Sequence, residues 1–324
     1  MTSAGELLYN LDTEVTGADH RIRPYVRETA LDYSPELSRA WGAEIFLKLE
    51  NTQVTGSFKV RGAINRLLST PISQRALGVV AASTGNHGAA VAYAMAKLNI
   101  PGTVYVPTNA SPSKLNAIRA WGAEVRVHGE DGLESELEAR RYSEAKGLIY
   151  LSPYNDPYVV AGQGTIGAEL ARQLDRVDVV CISVGGGGLI GGVAGFLKGI
   201  GRQVTVVGCS PEHSKVMYES VKAGQILELA SEPTLSDGTA GGVEPGAITF
   251  PLCRALVDEW ALLNETEIAE GIRLAIDHAH QLVEGSAGMA LAAARRLAGK
   301  YARSNIVVVL CGGNISAETL KQVL

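Results

Sequence analysis

The sequence predicts an α/β fold in which a mainly parallel sheet is flanked by helices. Short runs rich in β-branched residues alternate with helical patterns over nearly the whole chain of 324 residues, which is typical of βαβ units. In two places a polar or glycine-rich turn directly follows such a run and leads into an apolar helical stretch. Turns of this kind bind ligands at the carboxyl edge of parallel sheets.

Seven strands are predicted as apolar runs with glycine, proline or polar boundaries, at 44–50, 77–83, 102–107, 123–129, 177–184, 203–210 and 305–313. Helices are expected between them. One helix is predicted to begin after Ser111, with Pro112 at its first position and Gly122 at its end. Another is predicted to begin after Asn264, which has Glu267 three residues on and so forms a capping box.

The composition excludes several classes of protein. A net charge of -5 with 19% charged residues suits a globular protein and gives no reason to expect a nucleic-acid partner. No run approaches ~18 consecutive apolar residues, so we expect no membrane span. Four widely separated cysteines, without a CxxC pair or zinc-ligand spacing, indicate a reduced, cytoplasmic protein: Cys181, Cys209, Cys253 and Cys311.

Four consecutive glycines at 185–188 follow the predicted strand 177–184. At the start of a helix, their N–H groups would form a nest that binds a phosphate. A tight strand-to-helix turn is the alternative, although one or two glycines would suffice for it. The GxGxxG pattern in this loop is a weak dinucleotide signal, because Cys209 and Ser210 end the next strand where a ribose-binding acid is expected. A single phosphate fits better.

A second loop, "STGNH" at 83–87, combines hydroxyls, an amide and free N–H groups ahead of an alanine-rich helix. Such a turn can hold a carboxylate and a ring hydroxyl at once, since both favour the amino end of a helix. The alternative is an ordinary N-cap with an incidental histidine.

Lys59 lies between Phe58 and Val60, after Ser57, which is a candidate N-cap for a helix at 59–68. The positive end of the helix dipole and the apolar neighbours both disfavour an ammonium. They favour the neutral amine, which forms a Schiff base with an aldehyde, although the ordinary role of a lysine is a solvated charge. A phosphate nest, such a lysine and a polar loop together indicate pyridoxal phosphate as cofactor.

Cys311 ends the last predicted strand. Beside a pyridine nitrogen, a thiol is a neutral partner, whereas a carboxylate would keep the nitrogen protonated and the ring a strong electron sink. A weaker sink favours rapid loss of a β-leaving group. The alternative is a buried cysteine that acts as a small hydrophobic residue.

Five motifs carry a resemblance to a known family: "GSFKVRGA" at 56–63, "STGNHGAAVA" at 83–92, "SPYNDPYVVAGQGTIGAEL" at 152–170, "SVGGGGLIGG" at 183–192 and "CGGN" at 311–314. In this order, they resemble the threonine dehydratase and serine racemase family of fold type II pyridoxal-phosphate enzymes. The likeness runs from about residue 20 to the C-terminus.

The resemblance implies that Lys59 carries the cofactor as a Schiff base, that Asn86 reaches the ring hydroxyl and that Cys311 faces the pyridine nitrogen. Further cofactor contacts are implied for Phe58, Gly185, Gly186, Gly187, Gly188, Leu189, Gly238 and Glu284. The substrate carboxylate is implied to bind at Ser83, Thr84, Gly85 and His87.

The implied architecture is that of tryptophan synthase β-like enzymes, with two open, mainly parallel sheets flanked by helices. A small α/β domain, 51–154, would be inserted into a large pyridoxal-phosphate-binding domain formed by 1–50 and 155–324. The turn-rich stretch 152–157 fits this boundary. The family's habit further implies a homodimer, and we expect no feedback control by isoleucine, because 324 residues leave no room for a regulatory domain.

The sequence departs from the family pattern at Thr84. The racemases that it resembles have serine here, which acts as acid and base on the face opposite the lysine, and several dehydratases have alanine. Threonine keeps a hydroxyl but restricts its rotamers, which favours elimination over racemisation. Ser210 and Val216 replace the two carboxylates of the family's cation site, so we expect no metal there.

The sequence therefore predicts a dehydratase, or ammonia-lyase, that removes water from a β-hydroxy amino acid such as L-threonine or L-serine and releases a 2-oxo acid and ammonia. Thr84 would be a second catalytic residue beside Lys59. The alternatives are a serine or other amino acid racemase, and a dehydratase of a specialised substrate such as 3-hydroxyaspartate or a hydroxyectoine-derived amino acid. A non-catalytic binding protein would not need Lys59.

Overall fold

The computed structural model describes residues 4–324. These residues form ten strands: β1 (Leu31–Tyr33), β2 (Glu44–Lys48), β3 (Val79–Ala82), β4 (Gly102–Val106), β5 (Glu124–Val127), β6 (Ile149–Tyr150), β7 (Val179–Ser183), β8 (Thr205–Pro211), β9 (Glu259–Leu263) and β10 (Asn305–Val309).

The same residues form fourteen α-helices: α1 (Ala4–Ile22), α2 (Pro35–Trp41), α3 (Lys59–Leu68), α4 (Ile72–Arg75), α5 (Asn86–Leu98), α6 (Pro112–Arg119), α7 (Gly132–Lys146), α8 (Pro157–Gln173), α9 (Gly188–Gly199), α10 (Val216–Ala223), α11 (Thr249–Leu256), α12 (Glu265–Ala279), α13 (Gly285–Leu297) and α14 (Ala317–Val323). Two short 3-10 helices lie at Glu50–Thr52 and Asp237–Thr239. Within 4–324, none of the helices combines the length and hydropathy that a bilayer crossing requires.

The strands form two sheets. The larger has the order β1-β2-β10-β7-β8-β9, in which β1 pairs antiparallel with β2 and the other pairs are parallel. The smaller has the order β5-β4-β3-β6 and is parallel throughout. The predicted α/β class with two mainly parallel sheets is therefore confirmed.

All seven predicted strands are present, and only β8 extends beyond its predicted range, by one residue. Three strands were not predicted. β1 and β6 contain three and two residues, too few to show an alternating pattern. β9 has the sequence "EWALL", which contains no β-branched residue, and it forms an edge of the larger sheet.

The predicted helix starts at Pro112 and Glu265 are confirmed. Asn264 and Glu267 form the expected capping box, in which Asn264 Oδ1 accepts from Glu267 N at 3.0 Å and Glu267 Oε2 accepts from Asn264 N at 2.9 Å. The end predicted at Gly122 is wrong, because α6 already stops at Arg119.

The prediction that Ser57 caps α3 is wrong. The helix begins at Lys59, and the preceding residue, Phe58, already has helical backbone angles of φ -60° and ψ -22°. Ser57 instead pairs with Gly312 in an antiparallel β-bridge, so it is extended and lies outside the cap position. Its hydroxyl is buried and, within the described part of the chain, has no hydrogen-bond partner.

Each sheet has its own apolar core. The core of the smaller sheet contains Val60 and Ile64 of α3, and it also receives Ile22 from the end of α1 and Val159 from the start of α8. The helices α1, α8, α9 and α13 supply much of the core of the larger sheet. The limits of the small domain, 51–154, stay a prediction.

A buried group of charged side chains, here called the ion cluster (Lys48, Glu50, Arg61 and Glu169), joins β2, α3 and α8. All four side chains have 0% exposure. The Arg61 guanidinium donates to both carboxylates, with distances of 2.7–2.9 Å, and Lys48 Nζ donates to Glu169 at 2.6 Å. Two cations thus balance two anions, a requirement for charges that water does not reach.

Removing Arg61 should therefore be costly. In Arg61→Ala, Glu50 would lose its guanidinium partner, and Glu169 would keep only Lys48 and the partly exposed Arg23, 2.9 Å from its Oε1. We expect the free energy of unfolding, measured by urea denaturation, to fall by about 3–5 kcal/mol. The control is Arg295→Ala, which removes an exposed partner of Glu270 at 3.0 Å and should cost less than about 1 kcal/mol. Equal losses in the two variants would contradict this assignment.

Candidate active site

The position of Lys59 is set by the backbone that precedes it. Residues 56–58 run antiparallel to 311–313, just beyond the carboxyl end of β10. Phe58 N donates to Cys311 O at 3.1 Å, and Gly313 N donates to Gly56 O at 2.9 Å. The start of α3 and the end of β10 are therefore held together, and Lys59 lies beside Cys311.

The Lys59 amine is partly enclosed. Its Nζ donates to Pro153 O at 3.1 Å and lies 5.2 Å from the centre of the Phe58 ring. Burial lowers the pKa of this amine from 10.5 to about 8, although the neighbouring Cys311 and Glu284 act in the opposite direction. The predicted preference for a neutral amine agrees with this shift, but its main cause is desolvation.

Glu284, at the start of α13, approaches the same point. Asn86 Nδ2 donates to both of its carboxylate oxygens at 2.9 Å, and Asn314 N donates to Oε2 at 3.2 Å. Burial raises the pKa of Glu284 to about 7 in spite of these hydrogen bonds. Gly238 lies next to it, where an added Cβ would be 3.3 Å from Glu284 Oε1.

Cys311 is buried at 2% exposure, and burial raises the pKa of its thiol well above 9.0. The thiol therefore remains neutral beside Lys59. With Asn86 and Glu284, it completes the group of predicted residues that the structure brings together directly.

The four-glycine loop connects β7 to α9. Gly187 has φ +83°, and α9 begins at Gly188, so the first N–H groups of the helix have no partner inside it. Added Cβ atoms would come within 2.8 Å of Thr239 O at Gly185 and within 2.3 Å of the Tyr154 ring at Gly186. Only glycine fits there, which leaves a cradle of bare backbone.

Tyr154 links this loop to Lys59. Its ring and Cβ lie against Gly186 and Gly188, and the residue before it, Pro153, accepts the Lys59 hydrogen bond. Lys59 thus contacts Pro153 and the glycine loop contacts Tyr154, two consecutive residues of the 152–157 turn. The side chain of Leu189 is buried in the core of the larger sheet, which is compatible with the implied contact through its backbone N–H.

The loop 83–87 leads from β3 into α5. The Ser83 hydroxyl accepts a hydrogen bond from Gly85 N at 3.1 Å, while Thr84 faces open space. His87 is buried, with Nε2 2.8 Å from Leu151 O. Burial, assisted by the charge of Lys59, lowers the pKa of His87 to about 3, so the ring is neutral at ordinary pH.

Two cavities meet at Thr84 and Asn109. The larger has a volume of about 770 Å³ and includes Glu284 and Asn314 in its wall, together with Lys114 and Asp237. The smaller, of about 350 Å³, lies at the carboxyl edge of β3 and β4. Lys114 Nζ is 3.2 Å from Asp237 Oδ2, so the wall of the larger cavity contains an exposed ion pair.

Comparisons with known proteins agree with this geometry. The model of a family described as pyridoxal-phosphate dependent enzyme matches residues 22–312. The chain belongs to this family. Pyridoxal phosphate is therefore its cofactor, and the expectation of a single phosphate instead of a dinucleotide is confirmed.

Named relatives narrow the likeness. The L-threonine ammonia-lyase of Thermotoga maritima is 39% identical over 311 residues, which are 96% of this chain and 77% of that protein. The processed form of threonine deaminase isoform 2 from Solanum lycopersicum has a TM-score of 0.92 and 33% identity, covering 98% of this chain and 92% of that one. Maize serine racemase has a TM-score of 0.90 and 32% identity, covering 96% and 95%.

The residues present fit pyridoxal phosphate. The bare backbone of the glycine loop suits a phosphate. The loop packs against Tyr154, and the partly desolvated amine of Lys59 contacts the preceding residue, Pro153. Thr249 lies beside Gly187, and its buried hydroxyl has no hydrogen-bond partner among residues 4–324.

Sequence reasoning missed two residues of the site. Tyr154, which has no predicted role of its own within the motif and boundary at 152–157, packs against the glycine loop. Asn314, noted only as the end of a motif, donates to Asn86 Oδ1 at 2.6 Å. Neither role has a sequence signal of its own, since both depend on contacts between distant segments.

The raised pKa of Glu284 predicts a stability effect. The folded protein keeps a proton that the unfolded chain releases between about pH 4.5 and 7, so this group makes the free energy of unfolding fall by about 3 kcal/mol as pH rises through that window. His87 acts in the opposite direction between about pH 3 and 6.5, because its pKa is lowered.

Glu284→Gln should remove the pH dependence of stability that comes from Glu284 and leave the one that comes from His87. We expect the unfolding free energy of the cofactor-free variant, relative to the parent, to rise by about 3 kcal/mol between pH 4.5 and 8. Denaturant titrations at both pH values measure it. A difference that does not change with pH would show that Glu284 is ionised throughout.

Proposed function

We propose that the protein is a dehydratase that removes water from a small β-hydroxy amino acid, L-threonine or L-serine, and releases a 2-oxo acid and ammonia. The observation that carries the proposal is the position of the partly desolvated amine of Lys59. This amine contacts Pro153, and the next residue, Tyr154, packs against the glycine loop proposed to bind the phosphate. The names of the L-threonine ammonia-lyase and threonine deaminase relatives support this choice of substrate.

The proposed cofactor contacts follow the positions of the side chains. Lys59 forms the covalent link, with Phe58 beside the ring, and the backbone of Gly185, Gly186, Gly187, Gly188 and Leu189 holds the phosphate. Asn86 Nδ2 contacts the ring hydroxyl oxygen, and Cys311 faces the pyridine nitrogen. Gly238 and Glu284 line the ring. When bound, pyridoxal phosphate supplies an electron sink that makes the substrate's α-proton acidic.

Cys311 shapes the reaction through its lack of charge. A thiol whose pKa lies far above neutrality does not hold a proton on the pyridine nitrogen as a carboxylate would. The sink is weaker, and early departure of the β-hydroxyl is favoured over a long-lived carbanion.

Lys59 has two proton-transfer tasks. With substrate bound, the neutral Nζ of Lys59 would take the α-proton, and its lowered pKa keeps a large share of the amine neutral near pH 8. The resulting ammonium can then protonate the departing hydroxyl. His87, neutral and bonded to Leu151 O, remains a fixed wall of the carboxylate-binding loop 83–87.

The charges of the larger cavity favour a neutral β-substituent. Lys114 is already paired with Asp237, and the same wall carries two further acids, Glu265 and Glu318, besides Glu284, whose pKa is raised to about 7. The second carboxylate of 3-hydroxyaspartate would meet this excess of negative charge, which argues for threonine or serine. Racemisation remains the second candidate, supported by the likeness to maize serine racemase and the Thr84 hydroxyl.

We also propose that the protein works as a cytoplasmic homodimer, with its small domain at 51–154. Four buried free thiols support a reducing compartment, and the family's habit supports the dimer. The separate core of the smaller sheet supports the division. No cation is proposed at Ser210, whose Oγ donates to Ser214 O at 3.4 Å.

Lys59→Ala tests the main proposal. We expect loss of the visible absorbance band of the lysine-bound cofactor and at least about a 100-fold drop in 2-oxo acid release from L-threonine and L-serine, because the covalent anchor and the base are the same atom. Lys97→Ala, at an exposed position on α5, is the matched control and should retain both. A surviving band would place the covalent link elsewhere.

Variants of Thr84 separate dehydratase from racemase. If this hydroxyl can act on the face opposite Lys59, Thr84→Ser should raise the ratio of D-serine to pyruvate formed from L-serine, because serine has more rotamers. Thr84→Ala should lower D-serine formation by about 100-fold and change pyruvate release less than about tenfold. Chiral chromatography with a keto-acid assay measures both products, and loss of pyruvate release in Thr84→Ala would make Thr84 part of the elimination.

A further inference from the structure

Asn314 lies at the centre of a chain of hydrogen bonds that ends at Asn86. Its Nδ2 donates to Thr55 O at 3.0 Å and to Asn86 Oδ1 at 2.6 Å. Asn86 Nδ2 in turn donates to both oxygens of Glu284 at 2.9 Å. The chain joins the segment before Lys59 to the residue proposed to contact the cofactor ring.

The peptide carbonyl at one end fixes the direction of these bonds. Thr55 O only accepts, so Asn314 must turn its NH2 group toward it, and the same Nδ2 also reaches Asn86 Oδ1. Asn86 therefore accepts through Oδ1 and turns its NH2 group toward Glu284. Between them, the remaining contact pairs the Asn314 donor with the Asn86 acceptor. Reversing either amide would bring two donors or two acceptors together.

The backbone is shaped to accommodate this chain. Gly56 has φ +73°, and a Cβ there would lie 2.4 Å from Asn314 Oδ1. A Cβ at Gly312 would lie 2.7 Å from the Glu284 carboxyl group. Asn314 is also tied by its backbone, since its N–H donates to Glu284 Oε2 at 3.2 Å. Two glycines thus clear space for these side chains.

We propose that Asn314 is a positioning residue that orients the amide of Asn86, so that Nδ2 and not Oδ1 is offered to the ring oxygen of bound pyridoxal phosphate. This inference rests on the proposed contact between Asn86 and that oxygen. An amide turned the other way would place its carbonyl oxygen against the ring oxygen, and the two acceptors would repel each other.

Asn314→Asp tests the proposal, because a carboxylate replaces the donor with an acceptor and draws the Asn86 NH2 group toward itself. We expect the affinity for pyridoxal phosphate, measured by fluorescence titration of the cofactor-free protein, to fall on the order of tenfold. The absorbance maximum of the bound cofactor should also shift. Asn314→Ala, which removes the donor without adding charge, should change both in the same direction and covers the case in which the Asp variant does not fold.

A double-mutant cycle separates positioning from general damage. If Asn314 acts through Asn86, adding Asn314→Asp to Asn86→Ala should change the affinity by less than about twofold. Asn51→Ala is the matched control, because Asn51 lies beside Gly313 and donates to Gln281 and Leu282 O but not to Asn86. It should leave affinity and spectrum unchanged.

Equal effects of Asn314→Asp in the parent and in Asn86→Ala would overturn the proposal. Equal affinity and spectrum of the parent and Asn86→Ala would also overturn it, since Asn86 would then not contact the ring. Both readouts concern cofactor binding, so they are independent of turnover. Failure to release 2-oxo acid from threonine or serine would reject the proposed function and leave this inference standing.

Discussion

The guanidinium of Arg61, enclosed between the carboxylates of Glu50 and Glu169, holds the first turn of α3 against α8 and the segment after β2, while the pairing of 56–58 with 311–313 fixes the chain just before Lys59. Residues two apart on a helix lie on nearly opposite faces, so Lys59 points toward Pro153 while Arg61 points toward Glu50 and Glu169. The ion cluster therefore holds the first turn of α3 on the face that carries Arg61. Buried charges are stabilising only with matched partners, and the cluster provides two of each sign.

The site itself follows a different electrostatic principle. Burial shifts Lys59 and His87 to lower pKa values and Cys311 and Glu284 to higher ones, so in each case the neutral form gains. One physical cause, exclusion of water, thus acts on four chemically different groups. In a site of largely neutral side chains, the cofactor phosphate would be a dominant charge, and the proposed contacts of the glycine loop would meet it with N–H dipoles instead of cations.

Local patterns made much of this structure predictable. The strands 177–184 and 305–313 are predictable because buried parallel strands are continuous apolar runs. The loop 185–188 is predictable because four consecutive glycines indicate backbone that other atoms approach closely, as Thr239 O and the Tyr154 ring do. Ser57 was misassigned because its conformation is set by Gly312, more than 250 residues away. β6 and Tyr154 were missed for the same reason, since their structure arises from tertiary contact and not from their own residues.

The wall of the larger cavity contains the ion pair of Lys114 and Asp237, whose side chains are 42% and 65% exposed. Hydrated ions at this distance contribute less than about 1 kcal/mol, and dissolved salt screens them within about 10 Å. The contact between Lys114 and Asp237 in this wall is therefore weak and electrostatic. A rise in ionic strength weakens the attraction between Lys114 and Asp237, so the shape of this wall depends on the salt concentration around the protein.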